Sequence, residues 1–454
     1  MNPTNIATIA RWADGQLASG DLAVTVTSLC TDSRALQPGD LFLALRGENF
    51  DGHTFAAEAI SRGAAGIVVQ DVPSGLPPEA NVIQVGDTLA ALQSISGQYR
   101  RSLDLRVVAI TGSNGKTSTK DLTASVLGKR FQVTKTQGNF NNHIGLPLTM
   151  LRANSADQIG VFEIGMNHPG EIAPLAALAA PDIAIITNIG VAHIEFLGSR
   201  EAIAQEKGML AEALKPSGHL ILSAEDDFSR AIAERTLAHA IFCGIGTGEV
   251  QATDVTQSFS GMKFRLHADG RVVDAELPVP GLHMVRNALL AVAAGRVLGL
   301  SLDECAEGLR DLQLTKGRLE QKEVRGIQII DDTYNANPDS MSAALRTISE
   351  MPGKGRRIAV LGRMGELGAE AERGHRQVGK VAADLKFHHL ITVGEEARWI
   401  AEEAASGGIQ THECGTTEEA ATMLRELAKE GDLVLVKGSR SARMERIVEA
   451  LQSA

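Results

Sequence analysis

The chain has 454 residues, enough for roughly three domains, with a formal net charge of −11 and 22% charged residues. That acidic balance excludes a general nucleic-acid footprint, so any phosphate ligand must be held by local basic groups and backbone N–H groups. Four scattered cysteines (Cys30, Cys243, Cys305, Cys414) form no C-x-x-C pair, which argues against a zinc site and for thiols in a reducing compartment. The first residues lack the basic-then-apolar order of a secretory signal, and no apolar run reaches the about 18 residues that span a bilayer. A cytoplasmic protein with neither nucleic-acid nor membrane partners is expected.

Residues 1–103 read as a small α/β block. The pattern predicts a helix over 6–13, strands over 24–26 and 41–45, a helix over 55–62 and a strand over 64–69. Two polar loops interrupt it, one with Asp32, Ser33 and Arg34, the other running from Arg46 through Glu48 to His53. Arg34 and Arg46 are either diphosphate partners or surface ion-pair residues; composition alone favours ion pairs.

Residues 104–316 alternate strand and helix, the signature of a parallel sheet. The block opens on LRVVAITGSNGKTSTK, residues 105–120. A β-branched strand (107–110) runs into Gly112-Ser113-Asn114-Gly115, and Lys116-Thr117-Ser118 open a helix predicted over 117–130. A strand, a glycine turn and a helix N-terminus make an anion seat, because unpaired N–H groups and the helix dipole face the ligand. Lys116 is placed to reach β/γ-phosphates and Thr117 to ligate Mg²⁺. The strict G-x-x-x-x-G-K-[ST] spacing is not met, since position 110 is Ile. Further strands are predicted over 159–164, 183–187 and 219–222, a helix over 200–214, a hairpin insert within 250–280 around Asp269-Gly270, and an apolar helix over 283–298. Ligands collect at strand carboxyl ends, where Glu163 and His193 lie. A carboxylate inside an apolar strand requires a partner, either a protein group or a cation.

Residues 315–318 read as a hinge, and a Rossmann-like block follows over 317–454. Strands are predicted over 327–330, 357–361, 389–393 and 432–436, and helices over 395–404 and 417–429. The polar run DDTYNANPDS after the first of these strands is a site-type loop, since Asn and Asp present amide and carboxylate contacts.

These stretches, in this order and spacing, resemble the Mur ligase family over essentially the whole chain. The resemblance rests on TDSRALQPGDLFLALRGENFDGHTF (31–55), TGSNGKTSTK, TQGNFNNHIGLPLT (136–149), EIGMNHPGEI (163–172), NIGVAHIEFLGS (188–199), GLHMVRNAL (281–289), GRLE (317–320), DDTYNANPDSM (331–341), LGRMGELG (361–368) and VKGSRSARME (436–445). It implies three α/β domains: a small N-terminal UDP-binding domain, a central P-loop ATPase domain with a parallel sheet, and a Rossmann-like C-terminal domain that receives the incoming amine, with hinge motion near 103 and 316.

It also implies an ADP-forming ligase that phosphorylates the carboxylate of a UDP-MurNAc-tripeptide and joins it to D-alanyl-D-alanine. By similarity, residues 112–118 hold ATP phosphates, and Asn287, Arg318 and Asp332 surround the rest of the nucleotide. Thr117, Glu163, His193 and a carbamylated Lys207 hold two Mg²⁺ ions. Ser33, Arg34 and Arg46 lie near the uridine, Asn141 and Asn142 near the muramoyl peptide, and Tyr334, Asn335 and Asn337 near the dipeptide. A monomer is expected. The ligase that adds the third amino acid would carry a D-N-P-R run, absent here, and a non-catalytic nucleotide-binding module would not need Lys116, Glu163, His193 and Lys207 together. Arg363 stands where relatives carry Asp.

Overall fold

The computed structural model describes residues 1–47, 50–353 and 355–453; Glu48 of the second polar loop lies outside them. The chain packs as two compact units. One comprises Met1–Ala109, Phe131–Gly165 and Ala173–Asp182; the other comprises Ile110–Arg130, Met166–Ile172 and Ile183–Ala454.

In the first unit a five-stranded sheet runs in the order Gln16–Ser19, Val82–Gln84, Gly66–Val69, Leu41–Leu43, Leu29–Cys30. Only its Gln16–Ser19 edge is antiparallel. Phe42, Ile67, Val69 and Val82 form its core with Ala56 and Ala59 of the helix Ala56–Ser61. The helix Thr88–Arg101 starts where Asp87 accepts the Ala90 N–H. Its buried Tyr99 donates its hydroxyl to the Ala153 carbonyl at 2.6 Å and accepts the Asn2 N–H at 2.7 Å. The same unit holds the parallel strands Val133–Lys135 and Ile159–Glu163. It also holds most of the strand Arg106–Thr111, whose last two residues fall in the second unit.

In the second unit Ile183–Ile186, His219–Ser223, His239–Ile245 and Val250–Ser258 are parallel neighbours. The expected hairpin insert is two successive hairpins: Gly261–Ala268 returns antiparallel along Val250–Ser258, and Arg271–Leu277 returns along it in turn. The second turn is Asp269-Gly270, with φ of +49° and +72°, the primed geometry that matches strand twist. The helix Leu282–Val297 is apolar nearly all round and accordingly buried from Asn287 to Gly295.

A six-stranded sheet follows in the order Glu320–Val324, Ile327–Asp332, Leu433–Lys437, Arg357–Gly362, His389–Val393, Gln410–Cys414. It is parallel apart from its first pair. Ile329, Val360, Ile391, Val434 and Val436 meet Leu424 and Ile447 on one face. The edge strand Gln410–Cys414 has no apolar alternation and was not anticipated from sequence. The expected helix over 395–404 begins as a 3₁₀ turn, Glu395–Ala397, before Arg398–Ser406.

Candidate active site

The strand Arg106–Thr111 is buried from Val107 onward and delivers the glycine turn. Gly112 has φ +145°, and a Cβ there would sit 1.9 Å from Thr187 Oγ1. Gly115 has φ +81°, and a Cβ would fall 2.8 Å from the Asn287 amide. Both positions need glycine, for the backbone angle and for the room. Gly115 is the N-cap of the helix Lys116–Leu127 and brings no side-chain cap, so the helix start presents N–H groups. Asn188 secures the turn: its backbone carbonyl accepts the Ser113 N–H at 2.9 Å and its side-chain oxygen accepts the Asn114 N–H at 3.0 Å. Thr187 donates to the Asn114 carbonyl at 2.6 Å.

Lys116 Nζ folds back to the Gly112 carbonyl at 2.7 Å. Ser113 and Ser118 are buried beside it, as is Thr117. The Thr117 hydroxyl accepts from Arg318 at 3.2 Å. The Arg318 guanidinium lies 4.2 Å from the Tyr334 ring centroid, a cation–π contact. Asp332 is fully engaged: Lys437 donates to it at 2.6 Å and the Leu319 N–H reaches it at 3.3 Å. Burial lowers the Lys437 ammonium from its ordinary value, against the attraction of Asp332. Lys437 also donates to the Asn335 carbonyl at 2.9 Å. Sequence reasoning gave Lys437 no role; its position at the carboxyl end of a buried strand was the available signal.

Lys207, on the helix Arg200–Glu212, is 0% exposed, and its Nζ has no hydrogen-bond partner among the described residues. Burial first, then the positive charge of Lys116, pushes its ammonium well below the ordinary lysine range, with Glu206 opposing. Both effects shift the balance toward the neutral, nucleophilic amine. His193 has left-handed backbone, φ +63°, and its Nδ1 stands 2.6 Å from Glu366 Oε2. That contact is an ion-pair approach lying off the ring N–H axis, so Nδ1 has no aligned hydrogen bond. Burial lowers the His193 imidazolium, with Glu366 opposing. Contact with His193 keeps the Glu366 carboxyl below its ordinary value.

In the first unit Glu163 is 3% exposed. Its Oε1 accepts from the Asn141 amide at 2.8 Å, its backbone N–H donates to the Thr136 hydroxyl at 2.9 Å, and its Oε2 is buried without a partner among the described residues. Asn142 accepts the Ile144 and Gly145 N–H groups at 3.2 and 2.8 Å. Asn141 and Asn142 thus both bond within the protein. Ser33 is buried, whereas Arg34 is turned outward and forked onto Asp32 at 2.9 and 2.8 Å. Arg46 bridges Asp51 and Asp71 at 3.1 and 3.2 Å. Both arginines therefore occupy the ion pairs that composition favoured. Asn337 caps the helix Pro338–Glu350 with its side-chain oxygen and donates its amide to Asn114 at 2.8 Å. Arg363 bonds Ser441 at 2.9 Å. Among the described residues no three His, Cys, Asp or Glu side chains converge as a ready metal cage, and no helix is long and apolar enough to cross a membrane.

Three family models match the chain in succession. They are described as the Mur ligase family catalytic domain over residues 25–100, the Mur ligase middle domain over 110–295, and the Mur ligase glutamate ligase domain over 317–440. A UDP-N-acetylmuramoyl-tripeptide–D-alanyl-D-alanine ligase from Bacillus subtilis (strain 168) is 41% identical, covering 99% of both chains. Its counterpart from Escherichia coli (strain K12) is 37% identical over 97% of this chain and 96% of the relative. Among solved structures, MurF from Acinetobacter baumannii superposes with a TM-score of 0.93 at 32% identity, covering 100% of both chains. MurF ligase from Thermotoga maritima in complex with ADP superposes with a TM-score of 0.84 at 28% identity, covering 94% of this chain and 97% of that one.

Proposed function

The chain belongs to the Mur ligase family, and on that premise we propose that it joins D-alanyl-D-alanine to UDP-MurNAc-tripeptide with consumption of ATP. The observation that carries the reading is the glycine turn before Lys116, set beside an unpartnered, charge-starved Lys207 in a chain that matches tripeptide-dipeptide ligases end to end.

The chemistry accounts for the residue types. A carboxylate is a poor acyl donor until it is phosphorylated. The substrate carboxylate oxygen bonds the γ-phosphorus as the bond to ADP breaks, giving an acyl phosphate. The dipeptide amine then attacks the acyl carbon, loses a proton, and phosphate leaves. Two anions must approach, so positive charge and N–H donors between them lower the barrier. Lys116 and the amides of 112–118 hold the phosphates, Arg318 reaches toward the γ-phosphate from beside Thr117, and Asn287 and Asp332 border the base and ribose.

Mg²⁺ suits the donor types present: Glu163 Oε2 is a buried oxygen without a hydrogen-bond partner among the described residues, and Thr117 supplies a hydroxyl. His193 and carbamylated Lys207 would complete a two-ion set. Bound there, Mg²⁺ would neutralise phosphate charge. Neutral Lys207 is suited to add CO₂ through its nitrogen with loss of one proton, which converts an amine into an oxygen donor. Ser33, Arg34 and Arg46 serve the uridine, Asn141 and Asn142 the muramoyl peptide, and Tyr334, Asn335 and Asn337 the dipeptide; for Asn141, Asn142, Arg34, Arg46 and Asn337 this requires exchange of the internal bonds described above. Domain boundaries are placed at 103 and 316. Acting on ATP and a UDP-linked precursor, the enzyme is assigned to the cytoplasm as a monomer.

Phosphate release from ATP with UDP-MurNAc-tripeptide and a panel of amines tests the assignment. Release dependent on D-alanyl-D-alanine, with a pentapeptide product by mass, is expected. Release with a free amino acid and a UDP-dipeptide would move the chain to the preceding ligase, and no stimulation by any UDP-peptide would sink the cell-wall reading.

A further inference from the structure

Residues 188–193 form the segment that ends in His193, and its geometry is set from two sides. On the nucleotide side, Asn188 is tied to Asn114, and Asp226 accepts the Ile189 N–H at 2.7 Å. Arg200 donates to the Ile189 carbonyl at 2.9 Å. These bonds hold the beginning of the segment and leave its end, where the imidazole is carried, to other groups.

Those groups come from two separate places in the last third of the chain, the first turn of the helix Pro338–Glu350 and the loop after the strand Arg357–Gly362. Asp339 Oδ2 accepts the Val191 N–H at 3.1 Å. The fit is close: a Cβ on Gly190 would fall 2.3 Å from that same oxygen. Glu366 Oε2 stands 2.6 Å from His193 Nδ1. His193 and Glu366 both have left-handed backbone, with φ of +63° and +61°. Left-handed backbone is uncommon for a glutamate and better tolerated by a histidine, so both sides of the contact hold a turn geometry away from the ordinary helical or extended regions. The contact makes no aligned hydrogen bond with the ring N–H, but the charge of a carboxylate 2.6 Å from Nδ1 favours the neutral tautomer protonated there, which leaves the Nε2 lone pair as the donor.

We propose that Asp339 and Glu366 are positioning residues for His193: Asp339 fixes the segment through the Val191 N–H, and Glu366 sets the imidazole with its proton on Nδ1. The Nε2 donor is then presented only while the last third of the chain is seated on this segment, which links completion of the phosphate-transfer site to the part of the chain that would bring the amine. The idea rests on the reading of His193 as a Mg²⁺ ligand given above.

The test uses the full chain labelled with ¹⁵N-histidine, first without metal. The His193 signals, identified by their loss in His193→Gln, should report the Nδ1–H tautomer in the parent protein. They should move toward the Nε2–H tautomer or exchange in Glu366→Ala, and move less far in Glu366→Gln, whose amide oxygen keeps only a partial negative charge beside Nδ1. Mn²⁺ affinity in the presence of ADP, read by electron paramagnetic resonance, should fall by about 10–100-fold in Glu366→Ala. Gly190→Ala, which displaces Asp339 without removing its charge, should lower it in the same direction. Arg373→Ala, which breaks an exposed ion pair with Glu370 beside the same loop, should leave both readouts at parent values. An unchanged His193 tautomer in Glu366→Ala overturns the proposal. Parent-like Mn²⁺ affinity in His193→Gln instead overturns the ligand reading, and the metal-free spectra tell the two failures apart.

Discussion

The glycine turn before Lys116 reads as a phosphate seat and the arginine loops of the first block as either diphosphate partners or surface ion pairs, and the polar groups of the two regions are in opposite states. Around the turn, polar groups are buried and several have no hydrogen-bond partner among the described residues: Ser113 Oγ, Thr111 Oγ1 and Lys207 Nζ are of this kind. In the first block, Arg34 and Arg46 are exposed and each already carries a carboxylate. Arg34 is so well matched that its hydrogen bonds hold the Asp32 carboxyl down to about 2. A buried unmatched group costs free energy in the absence of a ligand, so it marks a place where something else completes the structure. A matched surface pair carries no such signal. The same test separates the interior pair Arg356–Asp432, bonded at 2.6 Å and also tied to backbone, which reads as structure alone.

That contrast is open to attack at four points. The largest effect belongs to Asp432→Ala, which leaves the Arg356 guanidinium without its partner and should lower unfolding free energy by about 3–5 kcal/mol in urea titrations, with KM for ATP unchanged in the folded fraction. Burial alone would raise the Asp432 carboxyl, but Arg356 and the Lys429 and Arg356 N–H groups outweigh it and leave it below 3.8. A carboxyl depressed in the fold stabilises above its unfolded value, so this contribution should be complete above about pH 4 and be lost as the pH falls below it. Melting curves from pH 7 down should show that loss in the parent and not in the variant.

Next, Lys116→Ala should reduce kcat/KM for ATP on the order of 10²–10³-fold while circular dichroism stays at parent values, since the lysine contributes charge to a ligand and only loop contacts to the fold. Gly115→Ala forces a side chain into left-handed backbone and onto Asn287, a strain of about 1–3 kcal/mol; both melting temperature and nucleotide affinity should drop, read by calorimetry. The smallest effect is expected from Arg34→Ala: no change in melting temperature or kcat, and a rise in KM for the UDP-peptide if the arginine leaves Asp32 for the diphosphate. An unchanged KM would make Arg34 a surface ion-pair residue and nothing more.

Much of the framework was legible in the residues. The β-branched run before Gly112 and the strand Leu433–Lys437 follow from unbroken apolar stretches, the strand Ile327–Asp332 from its three isoleucines around Gln328, and the Asp269-Gly270 turn from its dipeptide. The helix Leu302–Arg310 was legible too, through the Ser301–Glu304 capping box, and went unread. Gln410–Cys414 was not legible, because an edge strand facing solvent needs no alternation. Among the candidate residues, Lys116 and Glu163 announce themselves by residue type and place. Asp339, Glu366 and Lys437 do not, since a carboxylate after a turn and a lysine at a strand end look the same whether they meet solvent or a partner far along the chain.

The sequence by itself determined the order of strands and helices, the glycine turn and the family, because those depend on periodicity, backbone freedom and local motif. Only the tertiary structure decided which polar groups are matched and which are not. It closed Lys437 on Asp332, set Glu366 against His193 and left Lys207 buried without a hydrogen-bond partner among the described residues. Charge and hydrogen-bond balance at these groups is settled by neighbours far along the chain, and a desolvated amine is created by what packs around it rather than by its own place in the chain.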